Sequence, residues 1–236
     1  MQCVILAGGL ATRMRPLTET LPKALIRVAG RPFIDYQLDW MAKVGVSKVL
    51  LSVGYRGEML CEHVGDGSRW GLPVEVVNEG AELRGTGGAL RLAFDEGALD
   101  ESFLLTYGDS FLPIDFGEVW RAFLSARQPA LMTVFRNAER WDQSNAVFEQ
   151  GQVFYDKARR SRPASDYEYI DYGLSALDRS LVPRFVPEHG KADLASLFHE
   201  LSLRGELAGF EVWQRFFEIG SPAGLSDFEQ WVATQA

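Results

Sequence analysis

The sequence predicts an α/β fold of three layers, with helices packed on both faces of a mixed, mostly parallel central sheet. Three observations carry this: apolar runs of strand length, amphipathic stretches of helix length between them, and glycine or aspartate where the runs end. Consecutive strands separated by helical segments need crossover connections, and crossovers make parallel pairs.

Val4-Ile5-Leu6 is the first buried-strand run and ends in Gly8 and Gly9. Pro32 opens a helix carrying Phe33, Tyr36, Leu38, Trp40 and Met41, which closes near Gly45. A proline suits a helix start and a glycine its end. Residues 48–53 are a second strand and 58–64 a helix. A third strand covers 74–77 and a helix 86–94. The fourth strand, 103–107, ends in Gly108-Asp109. From Ala130 the texture changes to short strands with turns between them, at 131–135, 146–148, 152–155 and 170–177. Helices are expected at 180–185 and 193–203, a last strand pair at 207–212 and 215–219, and a closing helix at 227–234. No stretch is linker-like or repetitive, so 1–236 reads as a single domain whose second half, about 129–236, lies against the first, about 1–128.

At 236 residues, 47% hydrophobic and 24% charged, the chain suits a globular protein with a sizeable core. Its formal charge of −8 opposes the phosphate-backbone attraction on which nucleic-acid binders rely. Cys3 and Cys61 form neither a framework nor a ligand pair and read as buried thiols. His63, His189 and His199 are scattered and match no metal-ligand pattern. The first apolar run is too short for a signal peptide or a span, and no later one is long enough. The expectation is a cytoplasmic chain with no membrane or nucleic-acid partner; a homo-oligomer is left open.

The densest signal is Leu6-Ala7-Gly8-Gly9-Leu10-Ala11-Thr12-Arg13-Met14-Arg15-Pro16-Leu17-Thr18, with Pro22-Lys23 following. Glycines at a strand end let backbone N–H groups approach a phosphate closely, and open α/β sheets bind ligands at that edge. Arg13, Arg15 and Lys23 would neutralise a polyphosphate. Neither a dinucleotide fingerprint nor a P-loop is present. From the glycines alone, an ordinary turn with solvated cations is an equal reading.

The segment resembles the signature of the sugar-phosphate nucleotidyltransferases, Leu-Ala-Gly-Gly-x-Gly-Thr-Arg-Leu-x-Pro-Leu-Thr with Pro-Lys downstream. The resemblance implies a Rossmann-like fold of the nucleotide-diphospho-sugar transferase type, in which a nucleoside triphosphate and a sugar 1-phosphate give a nucleotide sugar and pyrophosphate with Mg²⁺. It implies that Leu6, Ala7, Gly8, Gly9 and Thr12 cradle the nucleotide, that Arg13 contacts the β- and γ-phosphates, and that Lys23 stabilises charge at the α-phosphate. Ala11 stands where the family has its second glycine, a departure that strains the loop if that position needs positive φ.

Tyr107-Gly108-Asp109 sets a carboxylate at the sheet's functional edge, either a helix cap or, as the resemblance implies, a metal ligand. Phe217-Glu218-Ile219-Gly220-Ser221-Pro222 matches the family's Asp-Ile-Gly-Thr-Pro, with Glu218 as the second ligand. Mg²⁺ favours one or two carboxylates plus substrate phosphates. Asp156-Lys157 resembles the family's Glu-Lys pair: the lysine grips the sugar's phosphate and the acid bonds a sugar hydroxyl, the alternative being an exposed surface pair. Asp171, Tyr172 and Gly173 fall at the sugar loop, facing the acceptor or serving the fold. Glu82, Gly85, Thr86 and Gly87 belong to a match with Glu-Pro-Leu-Gly-Thr-Gly-Gly, the version in the branch that includes heptose 1-phosphate guanylyltransferases. A carboxylate at Glu82 accepts from the amino group of guanine or cytosine, which favours GTP or CTP; if Glu82 faces solvent, the backbone of 85–88 reads the base instead. Two rivals share the fold. One is a cytidylyltransferase for a non-sugar phosphate such as phosphocholine, with Trp141, Tyr167 and Tyr169 available to a cation. The other is an inactive nucleotide-sugar-binding regulator, against which intact Arg13, Lys23 and Asp109 argue.

Overall fold

The computed structural model describes residues 1–236 except Leu10, Ala11, Arg15, Ala81, Leu83 and Ala236, and gives only the backbone of Thr12. In chain order the elements are β1 (Gln2–Leu6), β2 (Arg27–Val28), β3 (Arg31–Pro32), α1 (Phe33–Lys43), β4 (Lys48–Val53), α2 (Gly57–Val64), β5 (Val74–Asn78), α3 (Gly85–Asp95), β6 (Ser102–Tyr107) and β7 (Ser110–Phe111). Then come α4 (Phe116–Ala126), β8 (Ala130–Arg136), β9 (Ala146–Glu149), β10 (Gln152–Tyr155), β11 (Tyr169–Asp178), α5 (Leu181–Phe185), α6 (Leu194–Leu203), β12 (Leu207–Val212), β13 (Phe217–Glu218) and α7 (Pro222–Gln235).

Nine strands form one sheet in the order β5-β4-β1-β6-β11-β8-β12-β10-β9. The first four are mutually parallel, as the crossover argument requires. β11 joins antiparallel to β6, so the sheet runs unbroken through both halves of the chain. Beyond it, among the described residues, only β12 and β8 pair in parallel. The apolar runs are continuous because both sheet faces are covered. Alternation along β1 shows this: Cys3 and Ile5 pack with α1, α2 and α4, while Val4 and Leu6 pack with α3, α5 and α6. These are the three layers the sequence predicts. Cys3 is buried, but Cys61 is only half-buried, and both thiols are free. His63 Nε2 lies 2.6 Å from the buried Asp35 Oδ1, and His199 Nδ1 lies 2.7 Å from Tyr155 O.

Two expectations need correction. Residues 215–219 do not pair with 207–212, because both edges of β12 are taken by β8 and β10. The strand shrinks to Phe217–Glu218 and pairs antiparallel with β7, placing Glu218 opposite Ser110. A helix absent from the sequence expectations, α4, comes after the β7 turn. Its signals are in the sequence: Asp115 caps it, accepting from Gly117 N at 2.7 Å, and Phe116, Val119 and Phe123 face the core.

The β7/β13 pair rests on a third apolar cluster. Phe111, Phe217 and Ile219 meet Met14, Phe33 and Phe228 there. Phe228 of α7 lies edge-on to Phe33 and Tyr36 and stacks with Trp231 at 14°. Phe228→Ala should therefore lower stability by about 3–5 kcal/mol, the cost of emptying an aromatic core site. Urea denaturation followed by tryptophan fluorescence measures it, and a loss below about 1 kcal/mol would mean that the cluster collapses around the gap.

Candidate active site

The ends of β1 and β6 meet so closely that Gly108 N donates to Leu6 O at 2.9 Å, and a Cβ on Gly108 would lie 2.8 Å from that of Ala7. Glycine is required there by the neighbouring strand. These strand ends, with Gly8, Gly9, Lys23, Glu79, Gly85, Thr86, Asp109 and Lys191, line a cavity of about 380 Å³. Gly8 and Gly9 differ in kind. A Cβ on Gly8 would fall 2.2 Å from Glu79 Oε1, whereas one on Gly9 would meet nothing within 4 Å. The expectations for Leu10, Ala11 and the Thr12 side chain lie outside the described residues.

Lys23 follows Pro22, which sets an extended backbone before a 3-10 turn, and its Nζ reaches Asp109 Oδ2 at 2.5 Å. Arg13 is exposed, and its guanidinium comes to the same place: a methyl on Gly220 would lie 3.6 Å from Lys23 Nζ and 3.8 Å from Arg13 Nη2. Pairing of β7 with β13 sets Asp109 and Glu218 on either side of Ser110, whose Oγ is 3.3 Å from Asp109 Oδ1 and 3.5 Å from Glu218 Oε1. Ile219 N donates to Asp109 O at 3.0 Å and closes the arrangement. Gln37, 3% exposed, fastens this turn from below. Its Nε2 donates to Tyr107 O at 2.9 Å and Ser110 O at 2.7 Å, the carbonyls that bracket Asp109. No motif pointed to Gln37; the available signal is a lone amide on the apolar face of α1, three residues after Ile34 and one before Leu38.

Solvent reaches Glu218, but the cleft walls crowd it. Burial pushes its carboxyl up to about 7, with Asp109 and Asp142 adding, Lys23 opposing and Asp171 adding less. Asp171 stands at a register shift in β11, and burial raises it to about 6 against the Gly173 N–H and the charge of Lys157. Gly173, at φ +100°, makes the bulge possible. Among the described residues no three metal-ligating side chains cluster. Asp109 and Glu218 are the pair that could hold one divalent cation, and their mutual repulsion is what such a cation would relieve.

Several predicted site residues sit elsewhere. Tyr172 is buried against Phe135 and Phe216, so it belongs to the core and does not face an acceptor. Asp156 is buried and spends both oxygens on its own loop, accepting from Ala158 N at 3.0 Å, Arg160 N at 2.8 Å and Ser161 N at 2.9 Å. Burial raises its carboxyl, but bonds from Ser161, Arg160 and Ala158 outweigh that and hold it well below the usual range. It shapes the Lys157 loop and leaves no oxygen for a sugar hydroxyl. Glu82 has a side chain 75% exposed, beside Arg84. The carboxylate that lines the cavity besides Asp109 is Glu79, 8% exposed. Its Oε2 accepts from Arg84 N at 3.1 Å, and among the described residues nothing donates to Oε1. Glu79 directly follows β5, so the strand-end rule that identifies Asp109 would have found it. The backbone alternative for base reading is also reduced, because Gly87 N and Gly88 N donate to Ala192 O at 2.9 and 3.4 Å.

The model of the Nucleotidyl transferase family matches residues 2–155, more than half the chain and all of its first-half strands. The chain belongs to that family. It is 32% identical over 160 residues to the UTP--glucose-1-phosphate uridylyltransferase AglF of Haloferax volcanii, covering 68% of this chain and 58% of that one. It is 34% identical over 225 residues to a probable mannose-1-phosphate guanylyltransferase 3 of Oryza sativa, covering 94% and 62%. With the D-glycero-alpha-D-manno-heptose 1-phosphate guanylyltransferase of Aneurinibacillus thermoaerophilus it shares 31% identity over 125 residues, 53% of each. The chain thus spans roughly half to three fifths of these relatives. Among solved structures, a putative glucose-1-phosphate thymidylyltransferase of Bacillus anthracis matches with TM-score 0.82 at 17% identity, over 98% of this chain and 94% of that one. HddC from Yersinia pseudotuberculosis matches with TM-score 0.77 at 20% identity, over 98% and 99%. These likenesses show the Rossmann-like α/β fold.

The raised carboxyls make stability depend on pH. A carboxyl whose folded pKa lies above its unfolded value favours the fold while both states are protonated and loses that contribution as pH rises through the folded pKa. For Glu218 the window runs from 4.5 to about 7, and for Asp171 from 3.8 to about 6. In metal-free buffer the urea midpoint should fall across that window, and Glu218→Gln should flatten the fall. A midpoint equally pH-dependent in the variant would show that Glu218 is not strained by its surroundings.

Proposed function

We propose that this chain transfers a nucleoside monophosphate from a nucleoside triphosphate, GTP or CTP favoured, to a sugar 1-phosphate, releasing pyrophosphate with Mg²⁺. The observation that carries this reading is the pairing of Lys23 with Asp109 in the wall of a glycine-lined cavity on the strand ends, with Glu218 joined to Asp109 through Ser110. The acceptor's phosphate oxygen attacks the α-phosphorus in line, and no protein nucleophile is needed, because orientation and charge neutralisation carry such transfers. Lys23 and Arg13 stabilise the charge on the triphosphate. Lys157 holds the acceptor's phosphate. Asp109 and Glu218 would hold Mg²⁺, which would supply charge to neutralise phosphate oxygens.

Base choice falls to Glu79. An ionised carboxylate only accepts hydrogen bonds. Guanine offers it a ring N–H and an exocyclic amine side by side, and cytosine an amine. Uracil and thymine offer one N–H flanked by carbonyl oxygens, which a carboxylate repels. The relatives' names span uridylyl, thymidylyl and guanylyl transfer, so they favour no base. The choline-type reading loses its cage: Tyr167 is buried, the Tyr169 hydroxyl is 3.3 Å from Glu211, and Arg215 lies 3.6 Å over Trp141.

Pyrophosphate release, with four nucleotides against a panel of sugar 1-phosphates, tests the function; no release from any pair would support the regulator instead. Activity should vanish with EDTA and return with Mg²⁺, and Asp109→Ala should stay folded but nearly inactive. Turnover without metal would remove the role given to both carboxylates. Lys23→Ala should lower kcat about 10²-fold or more, the scale of a lost transition-state donor. Glu79→Gln should raise UTP use relative to GTP by roughly tenfold, about 1.4 kcal/mol. Unchanged selectivity, or a wild-type preference for UTP or dTTP, would defeat the base reading.

A further inference from the structure

Residues 186–193, between α5 and α6, cross from the second half of the chain and lie along the start of α3. Ala192 N donates to Arg84 O at 2.9 Å, and Ala192 O takes the Gly87 and Gly88 N–H groups. The room for this comes from glycine: a Cβ on Gly85 would fall 2.5 Å from Ala192 O, and one on Gly87 3.1 Å from Ala192 Cβ. Asp193 is the knot of the crossing. Its Oδ1 caps α6, accepting from Ala195 N at 2.9 Å, and also accepts from Thr86 Oγ1 at 3.1 Å. Its Oδ2 accepts from Lys157 Nζ at 2.8 Å. Thr86 Oγ1 accepts in turn from Leu194 N at 2.9 Å. One carboxylate thus joins a wall of the nucleotide cavity, the start of α6 and the lysine of the acceptor side.

We propose that Asp193 is a positioning residue for the acceptor: it holds the Lys157 ammonium where the acceptor's phosphate arrives and, through Thr86, fixes that point relative to the nucleotide cavity. The inference rests on the reading of Lys157 as the phosphate ligand. An exposed lysine samples many rotamers, and an ion pair that must order two free side chains gains little. Asp193 is not free, because Ala195 and Thr86 fix it without Lys157. Only the lysine has to be ordered. An ammonium carries three N–H donors, so one given to Asp193 leaves two for a phosphate. Positioning and binding are compatible, which separates this role from an autoinhibitory one.

Asp193→Asn isolates the charge. Asparagine keeps a side-chain oxygen for Ala195 N and Thr86 Oγ1 and caps helices well, but it presents no negative charge to Lys157. Acceptor affinity is read as KM in pyrophosphate release with GTP and, independently of turnover, as Kd by calorimetry, with mannose 1-phosphate as the probe. Asp193→Asn should weaken the acceptor about three- to fivefold, the upper range for an exposed ion pair, with Tm unchanged. Lys157→Ala should weaken it about tenfold or more, and the double variant should be no worse than Lys157→Ala alone. Asp193→Ser, which also caps α6, serves if the asparagine variant is unstable. If Lys157→Ala weakens the acceptor while Asp193→Asn leaves it unchanged, tightens it, or alters kcat alone, the positioning role is overturned. If Lys157→Ala has no effect, the reading of Lys157 fails first and this inference falls with it.

Discussion

The site depends on two residues of β-pairing. Setting Ser110 opposite Glu218 brings together carboxylates from distant parts of the chain, at the edge where β1 and β6 also end. The two carboxylates repel, and Lys23 offsets only part of that repulsion. Packing enforces the meeting: Phe111 and Phe217 on the other side of the pair are held by Phe228 and Trp231, while Gln37 clamps the turn through two carbonyls. Asp109 has Lys23 as counter-charge. Among the described residues Glu218 makes no ion pair, and burial, with Asp109 and Asp142 adding, raises its carboxyl towards neutral pH against the pull of Lys23. Apolar burial here stabilises a charge arrangement that the fold alone would reject, which is the usual mark of a functional site.

The glycines show how one residue type serves unrelated ends. Gly85, Gly87 and Gly88 resemble a ligand cradle in sequence, yet the space beside Gly85 and Gly87 is filled by Ala192, and Arg84 lies against Gly88. Gly8 makes room for Glu79. Only Gly9 in this set opens onto free space. Two of the α3 N–H groups are already bonded to Ala192 O, so on the proposed reading discrimination between bases falls to a side chain rather than to this backbone. On that reading Glu79 matters more than the glycine run that succeeds it in the chain.

The fold was largely legible, because strand and helix periods are local properties and nearly every expected element lies within a few residues of its place. Pairing is not local. A strand at 215–219 could not be assigned its partner from its own residues, since the competitors for β12 lie far away in sequence. The same divide runs through the site. Lys23, Asp109 and Glu218 are legible because strand ends and a family signature mark them, and the structure brings them together. Glu82 displaces Glu79 in a sequence reading because spacing to a glycine motif cannot tell which of two nearby acids turns inward. Asp156 and Tyr172 carry the right chemistry, but backbone donors and core rings claim them. A helix start marks Asp193 and a lone amide on an apolar face marks Gln37, but the distant partners of both are not encoded by any local pattern.

Charge balance explains how a chain of net charge −8 would receive two phosphorylated substrates. Lys23 is paired with Asp109 and Lys157 with Asp193, so neither lysine presents an uncompensated cation to solvent. On the proposed reading, each phosphate group meets a lysine that already has a carboxylate. The two ends respond differently to that arrival. Asp193 keeps its bonds to Ala195 N and Thr86 Oγ1 and can share Lys157 with the incoming phosphate. Asp109 shares its surroundings with Glu218, and a triphosphate drawing on Lys23 would leave two carboxylates facing several phosphate oxygens. Asp109 and Glu218 would hold a small divalent ion there, and its charge would offset that of the two carboxylates and the phosphate oxygens. On this reading a metal belongs at the nucleotide end of the site, and the acceptor end has no need of one.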